Sequence, residues 1–154
     1  MEKIWLKLYP EAIPESLEYD DDPIQESLAK TAKKFPENIA IHFMGKEITY
    51  KELYESALKF ADYLTKIGIE KGDRVAIMLP NTPQAVISYY GILFAGGIVV
   101  QTNPMYTEKE LAFQMKDSQA KAIVALEILF PRISKVIGET DLQHIIITGI
   151  KDYL

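Results

Sequence analysis

The sequence predicts an α/β fold: a mainly parallel sheet with flanking helices, preceded by a short hairpin region and an irregular arm. Three observations carry this. From Arg74 to Thr148, strand-like and helix-like patterns alternate, the order of βαβ units that builds a parallel sheet. The strand-like run 74–79 is short and almost continuously apolar, which suits a central strand covered on both faces. Two helices begin with a capping box, in which a threonine and a glutamate three residues later each satisfy a backbone N–H that the helix start leaves open.

Taken in order, residues 1–22 read as the irregular arm, broken by Tyr9-Pro10 and Ile13-Pro14 and ending in Asp20-Asp21-Asp22. The remainder, 23–154, reads as the α/β body. Asp22 is expected to cap the first helix, with Pro23 at its first position. That helix runs to about Lys34, with Ile24, Leu28, Ala32 and Phe35 on one face, and Phe35-Pro36 ends it. Two short strands, 39–44 and 46–49, flank Gly45, which is free to take positive φ, so a tight antiparallel hairpin is expected.

Thr49 and Glu52 form the first capping box, with Ile48 and Leu53 spaced as its hydrophobic staple. Leu53, Ala57, Phe60, Ala61, Leu64 and Ile67 recur at helical spacing, and Gly68 supplies a stop. After the turn 69–73 comes the strand 74–79. Pro80-Asn81-Thr82-Pro83 breaks it, with Thr82 as the expected cap and Pro83 at the first helical position. The helix from Gln84 to about Ala95 is apolar nearly all round and belongs in the interior. A strand at 98–100 follows, then the second capping box, Thr107 with Glu110, stapled by Tyr106 and Leu111. Its helix reaches about Asp117. A strand at 120–126, a helix at 129–137 and a last strand at 144–148 complete the order.

Composition narrows the function classes. Apolar residues at 48% and charged residues at 25% are the balance of a folded globular chain. A net charge of −5 argues against a nucleic-acid-binding face. With no cysteine, neither a disulfide framework nor a thiolate metal site can form. The most apolar stretch, 85–100, is sixteen residues long and carries glycines, short of the roughly 20 residues that span a bilayer. No signal peptide is visible, and a cytoplasmic protein, at most peripheral to a membrane, is expected.

Each chemistry-bearing feature has a structural reading that fits better. His42 and His144 lie far apart in β-like runs and make a poor metal pair. The triplet Asp20-Asp21-Asp22 reads as helix-start acids at the positive dipole end. Ala95-Gly96-Gly97 follows a helix instead of opening one, so it reads as a stop and not a phosphate cradle. Glu108 and Glu110 belong to a first helical turn, and Glu2, Glu11, Glu15 and Glu18 to the arm, all expected to be solvated. Asn103-Pro104-Met105-Tyr106 follows an apolar strand, where loops of open α/β sheets line ligand sites; a turn setting the next helix is the favoured reading. No nucleotide-binding glycine fingerprint and no nucleophile elbow occurs.

Several segments together resemble one family. Ile48-Thr49-Tyr50-Lys51-Glu52-Leu53, Gly68-Ile69-Glu70-Lys71-Gly72-Asp73-Arg74-Val75-Ala76, Leu79-Pro80-Asn81, Phe94-Ala95-Gly96-Gly97 and Asn103-Pro104-Met105-Tyr106-Thr107 are similar, in order and spacing, to the first part of the adenylate-forming superfamily of acyl-CoA synthetases, luciferases and peptide-synthetase adenylation domains. Tyr9-Pro10, Ala32-Lys33-Lys34-Phe35-Pro36 and Ile147-Thr148-Gly149-Ile150-Lys151-Asp152-Tyr153-Leu154 resemble the bacterial long-chain fatty-acid–CoA ligases. The resemblance implies ATP-dependent activation of a fatty acid to an acyl-adenylate, then transfer to CoA, with Mg²⁺ assisting at phosphate. It implies that 23–154 is part of the N-terminal α/β domain of such an AMP-forming ligase. The family's phosphate loop and catalytic lysines have no counterpart among these residues, so no catalytic, cofactor-binding or metal residue is assigned to this chain. The expected reading is an N-terminal fragment, inactive alone, whose partners are the remainder of the ligase or a second copy. The alternative is a non-catalytic assembly module.

Overall fold

The computed structural model describes residues 3–19 and 21–153; Glu2, Asp20 and Leu154, named above, lie outside them. The elements are α1 (Ile24–Lys34), β1 (Ile39–Phe43), β2 (Lys46–Thr49), α2 (Tyr50–Lys66), β3 (Arg74–Met78), α3 (Pro83–Phe94), β4 (Ile98–Gln101), α4 (Glu108–Ser118), β5 (Ala122–Leu126), α5 (Phe130–Val136) and β6 (His144–Thr148), with short 3₁₀ turns between and before them.

β3 to β6 form an entirely parallel sheet in the order β4-β3-β5-β6. Period-2 alternation divides its side chains between two cores. Val75, Ile77, Ala122 and Val124 face a cluster holding Leu64 of α2 and Ile92 of α3. Ala76, Met78, Ile123 and Ala125 face the opposite cluster, with Leu111 and Met115 of α4 and Ile133 and Val136 of α5. Each fully buried Leu or Ile contributes about 1.5–3 kcal/mol, so the central strands are fixed from both sides. α3, from β3 to β4, therefore lies on one face, and α4 and α5 on the other. A third cluster, outside the first helix layer, packs Leu28, Ile48, Leu53 and Ile87 and carries α1 and the hairpin.

The hairpin pairs antiparallel as expected. Met44 as well as Gly45 takes positive φ (48° and 88°), the pattern of a type I′ turn. Both capping boxes form in full, Thr49 with Glu52 and Thr107 with Glu110. Gly68 ends α2 as a Schellman motif: its N–H bonds the Thr65 carbonyl and the Ile69 N–H bonds the Leu64 carbonyl.

Several expectations are corrected. Asp22 does not cap α1. Pro23 holds extended backbone (ψ 145°) at the N-cap position, and the Asp22 carboxylate pairs with Lys30 instead. Ile24 and Phe35 do not join the apolar face of α1; only Leu28 and Ala32 are buried, because the packed contact covers the helix middle and not its ends. Thr82 stands at the N-cap of α3, but its side chain caps nothing. β5 begins at Ala122, since Gln119 takes a left-handed conformation (φ 52°) that closes α4 first. α5 is framed by 3₁₀ turns at both ends. The arm contains a 3₁₀ turn, Ile4–Leu8. Among the described residues no helix is long and apolar enough to cross a membrane.

Candidate functional site

In an open parallel sheet a ligand crevice opens where neighbouring strands send their connections to opposite faces. Here that place lies between β3, leading to α3, and β5, leading to α5. Three loops gather along the carboxyl edge: 79–82 after β3, 102–106 after β4, and the turn at Gly149 after β6. Beside them a cleft of about 470 Å³ is lined by Leu79, Thr82, Tyr89 and Gln101, with Ile41 and Phe43 of the hairpin on its wall.

Two buried polar atoms at the start of α3, Thr82 Oγ1 and Gln84 Oε1, have no hydrogen-bond partner among the described residues. The other end of the Gln84 amide is held: Nε2 donates to the Gly149 carbonyl at 2.8 Å and to Thr148 Oγ1 at 3.4 Å. The Asp152 carboxylate then accepts from the Thr148 hydroxyl and the Gly149 N–H, each at 2.8 Å. The Gly149 N–H and, second, the Thr148 hydroxyl hold its carboxyl below the ordinary range.

The loop at Asn103-Pro104-Met105-Tyr106 is a pinned turn. Asn103 accepts from the Met105 N–H through Oδ1 and from the Tyr106 N–H through its carbonyl. Arg132, from α5, donates through Nη1 to the carbonyls of Pro104 (2.9 Å) and Tyr106 (2.7 Å). The loop thereby sets the start of α4. Its neighbouring cleft, lined by Met105, Tyr106, Thr107, Glu108, Lys109 and Arg132, has its arginine committed to backbone.

The remaining candidates do not converge. His42 sits on the hairpin beside Glu47 (3.3 Å), and His144 on β6 of the other sheet. Among the described residues no group of three or more His, Asp or Glu side chains could hold a metal. Glu108 pairs with Lys135 at 2.6 Å, and Glu110 is the capping carboxylate. Glu15 pairs with Lys3 at 3.0 Å, and Glu11, Glu18, Asp21 and Asp22 are exposed. Ala95-Gly96-Gly97 is a second Schellman motif: Gly96 N–H to Leu93 carbonyl, Gly97 N–H to Ile92 carbonyl.

Interactions across long sequence separations went unsignalled. Asp73 joins the Lys121 ammonium at 2.7 Å and accepts from the Glu70 N–H at 2.8 Å. Lys121 first, and the Glu70 N–H second, hold its carboxyl below the ordinary range. Arg74 donates to the Ser118 carbonyl and to Gln119 Oε1, closing the end of α4 on the sheet.

Among the described residues, the starts of α2, α3 and α4 offer no full set of open donors for a phosphate. A helix start binds phosphate through open N–H groups. At α2 and α4 the N3 N–H is taken by the cap threonine and the N-cap N–H by the glutamate, and α3 opens on Pro83, which has no N–H. No chemical step is derived through ATP, Mg²⁺ or CoA.

The family model of the AMP-binding enzymes matches residues 28–152. A long-chain-fatty-acid–CoA ligase of Bacillus subtilis is 50% identical over 153 residues, covering 99% of this chain and 27% of the relative. That of Yersinia pestis is 40% identical over 100% of this chain and 28% of its own. The chain thus spans just over a quarter of the length of these relatives. A crystal structure of a long-chain-fatty-acid-CoA ligase from Archaeoglobus fulgidus superposes with a TM-score of 0.81 at 24% identity, over 90% of this chain and 30% of that one, a likeness of fold.

Proposed function

Since the chain belongs to the AMP-binding enzyme family, we propose that it supplies the first α/β scaffold of a long-chain fatty-acid–CoA ligase and is inactive alone. The ligase would join a fatty-acid carboxylate to AMP from ATP, releasing pyrophosphate, and then pass the acyl group to the CoA thiol. Mg²⁺ would offset phosphate charge in the complete enzyme. The observation that carries this reading is that the segments shared with the family act here as caps, helix stops and strands. Thr49, Glu52, Gly68, Gly96, Thr107 and Glu110 all spend their special chemistry on this chain's own backbone. Residues 23–154 act as one body behind the arm 1–22, in the cytoplasm.

The test has two arms. The purified chain, given ATP, Mg²⁺, palmitate and CoA, is expected to form no palmitoyl-CoA above a no-protein control; any such product overturns inactivity. A chimera in which this chain replaces the matched quarter of the Bacillus subtilis ligase is expected to form palmitoyl-CoA. A folded chimera without that activity overturns the ligase reading.

One observation favours a second reading, that of an assembly module joining a complementary chain or a second copy. β4 and β6 are sheet edges, with Ile98 and Ile147 exposed on them, and open edges invite pairing. Light scattering decides: a strict monomer that ignores the complementary segment removes it.

A further inference from the structure

Residues 3–19 are shaped, yet none of them is buried. The Leu6 N–H bonds the Lys3 carbonyl, Tyr9 N–H bonds Leu6, and Ile13 N–H bonds Pro10. Lys3 and Glu15 tie its two halves together at 3.0 Å. Yet Ile4, Trp5, Leu8, Ile13, Leu17 and Tyr19 all stand exposed, Leu8 at 86% and Tyr19 at 81%. Solvated linkers are poor in large apolar and aromatic residues, because such side chains gain nothing in water. An arm this apolar is built for a surface.

Two facts locate that surface. The arm falls outside the stretch 28–152 that the general family model matches, but inside the stretch aligned with both long-chain ligases. The stretch thus has an aligned counterpart in relatives in which nearly three-quarters of the polypeptide lies beyond the match. Charge disfavours the other occupants. Glu11, Glu15 and Glu18 outnumber Lys3 and Lys7, and Asp21 and Asp22 follow, which repels an anionic lipid surface. A whole-chain charge of −5 opposes a second copy.

We infer that the arm is an interface, its apolar side chains covered by the part of the long-chain ligase that lies outside the matched segment. This rests on the ligase reading above. Trp5, the chain's sole tryptophan, is the probe. Both the 154-residue chain and the chimera are labelled with 5-fluorotryptophan, and the Trp5 ¹⁹F resonance is assigned by Trp5→Phe. The H₂O/D₂O isotope shift of that resonance reports solvent contact. It is expected to fall at least threefold from the chain to the chimera. Leu8→Asp with Leu17→Asp is expected to restore it, while leaving the thermal midpoint of the 154-residue chain unchanged. Equal isotope shifts in chain and chimera overturn the proposal. So does a Trp5 resonance in the free chain that moves with concentration, marking a second copy, or with phosphatidylcholine/phosphatidylglycerol vesicles, marking a membrane. An active chimera with an exposed Trp5 sinks the arm interface alone; an inactive chimera with a covered Trp5 supports the interface and sinks the ligase reading.

Discussion

Gly91 sits in the middle of α3 where that helix crosses α2, and replacing it by alanine sets two comparable effects against each other. A Cβ built at Gly91 would lie 2.7 Å from Phe60 Cδ1, 3.1 Å from Phe60 Cβ and 3.0 Å from the Ala57 carbonyl oxygen. Rotating the Phe60 ring relieves the first contact. The other two belong to atoms fixed by the α2 backbone, so the helices must separate by a few tenths of an ångström. Overpacking of this kind costs about 1–3 kcal/mol. Against it, alanine is favoured over glycine in a helix interior by about 0.8–1.0 kcal/mol. The net expectation for Gly91→Ala is a loss of about 1 kcal/mol, which lowers the midpoint by about 2–4 °C for a chain of this size. Urea denaturation followed by far-UV circular dichroism measures it. Gly138→Ala is the control: a Cβ there meets nothing within 4 Å, and its effect should stay within about 0.5 kcal/mol. A Gly91→Ala protein that is more stable than the parent, by the full propensity gain, would show that the α2–α3 seam has slack and that the reasoning is wrong.

Two further outcomes follow from the same geometry. Asp73→Asn removes the charge facing Lys121, with an expected loss of about 1.5 kcal/mol at neutral pH. Because the folded Asp73 carboxyl lies below its ordinary 3.8, its contribution is fully present above that value and is lost as pH falls through the lower folded pKa. The gap between parent and variant should therefore be flat above about pH 5 and shrink below about pH 4; a gap constant to pH 2.5 refutes the assignment. Gly96→Ala forces a side chain into φ +78° at a cost of about 1–2 kcal/mol, and an unchanged thermal midpoint would show that the Schellman stop of α3 is dispensable.

What the sequence made legible is what acts over three to five residues. A threonine followed three places later by glutamate gives both N–H acceptors of a capping box, so α2 and α4 could be started to the residue. Glycine after a helical run read as a stop, and Gly68 and Gly96 both take positive φ there. The short, nearly continuous apolar run 74–79 suited a strand covered twice, and β3 does lie inside the sheet. The reading failed where an isolated residue had two local options. Asp22 was suited to a cap, but Pro23 fixes the backbone before the helix, and Lys30 offers a partner two turns on. Thr82 has the right type and place for a cap, and its hydroxyl still makes no bond to the helix N–H groups. Arg132, Gln84, Arg74 and the Asp73–Lys121 pair could not be foreseen. Each spans 26 residues or more, with no periodicity to announce it. Gly91 belongs with them: its reason is a phenylalanine on another helix.

The candidate site follows from this division. A helix start with open N–H groups is the simplest place for a parallel α/β sheet to hold an anion; in this chain α4 has its N3 N–H taken by Thr107, and α3 opens on Pro83, which has no N–H. Thr107 and Glu110 close α4 twice over: the Glu110 carboxylate accepts from the Thr107 N–H at 2.7 Å, and the Thr107 hydroxyl from the Glu110 N–H at 3.4 Å. On the scaffold reading proposed above, Thr107 would act on catalysis only through the fold. Thr107→Ala in the chimera should accordingly cost about 0.5–2 kcal/mol of stability, while kcat and KM for ATP, measured well below the melting temperature, stay within twofold of the parent. A tenfold fall in kcat/KM with the midpoint unmoved would mean that the hydroxyl reaches substrate in the complete enzyme, and that this capping box is part of the reaction site as well as of the scaffold.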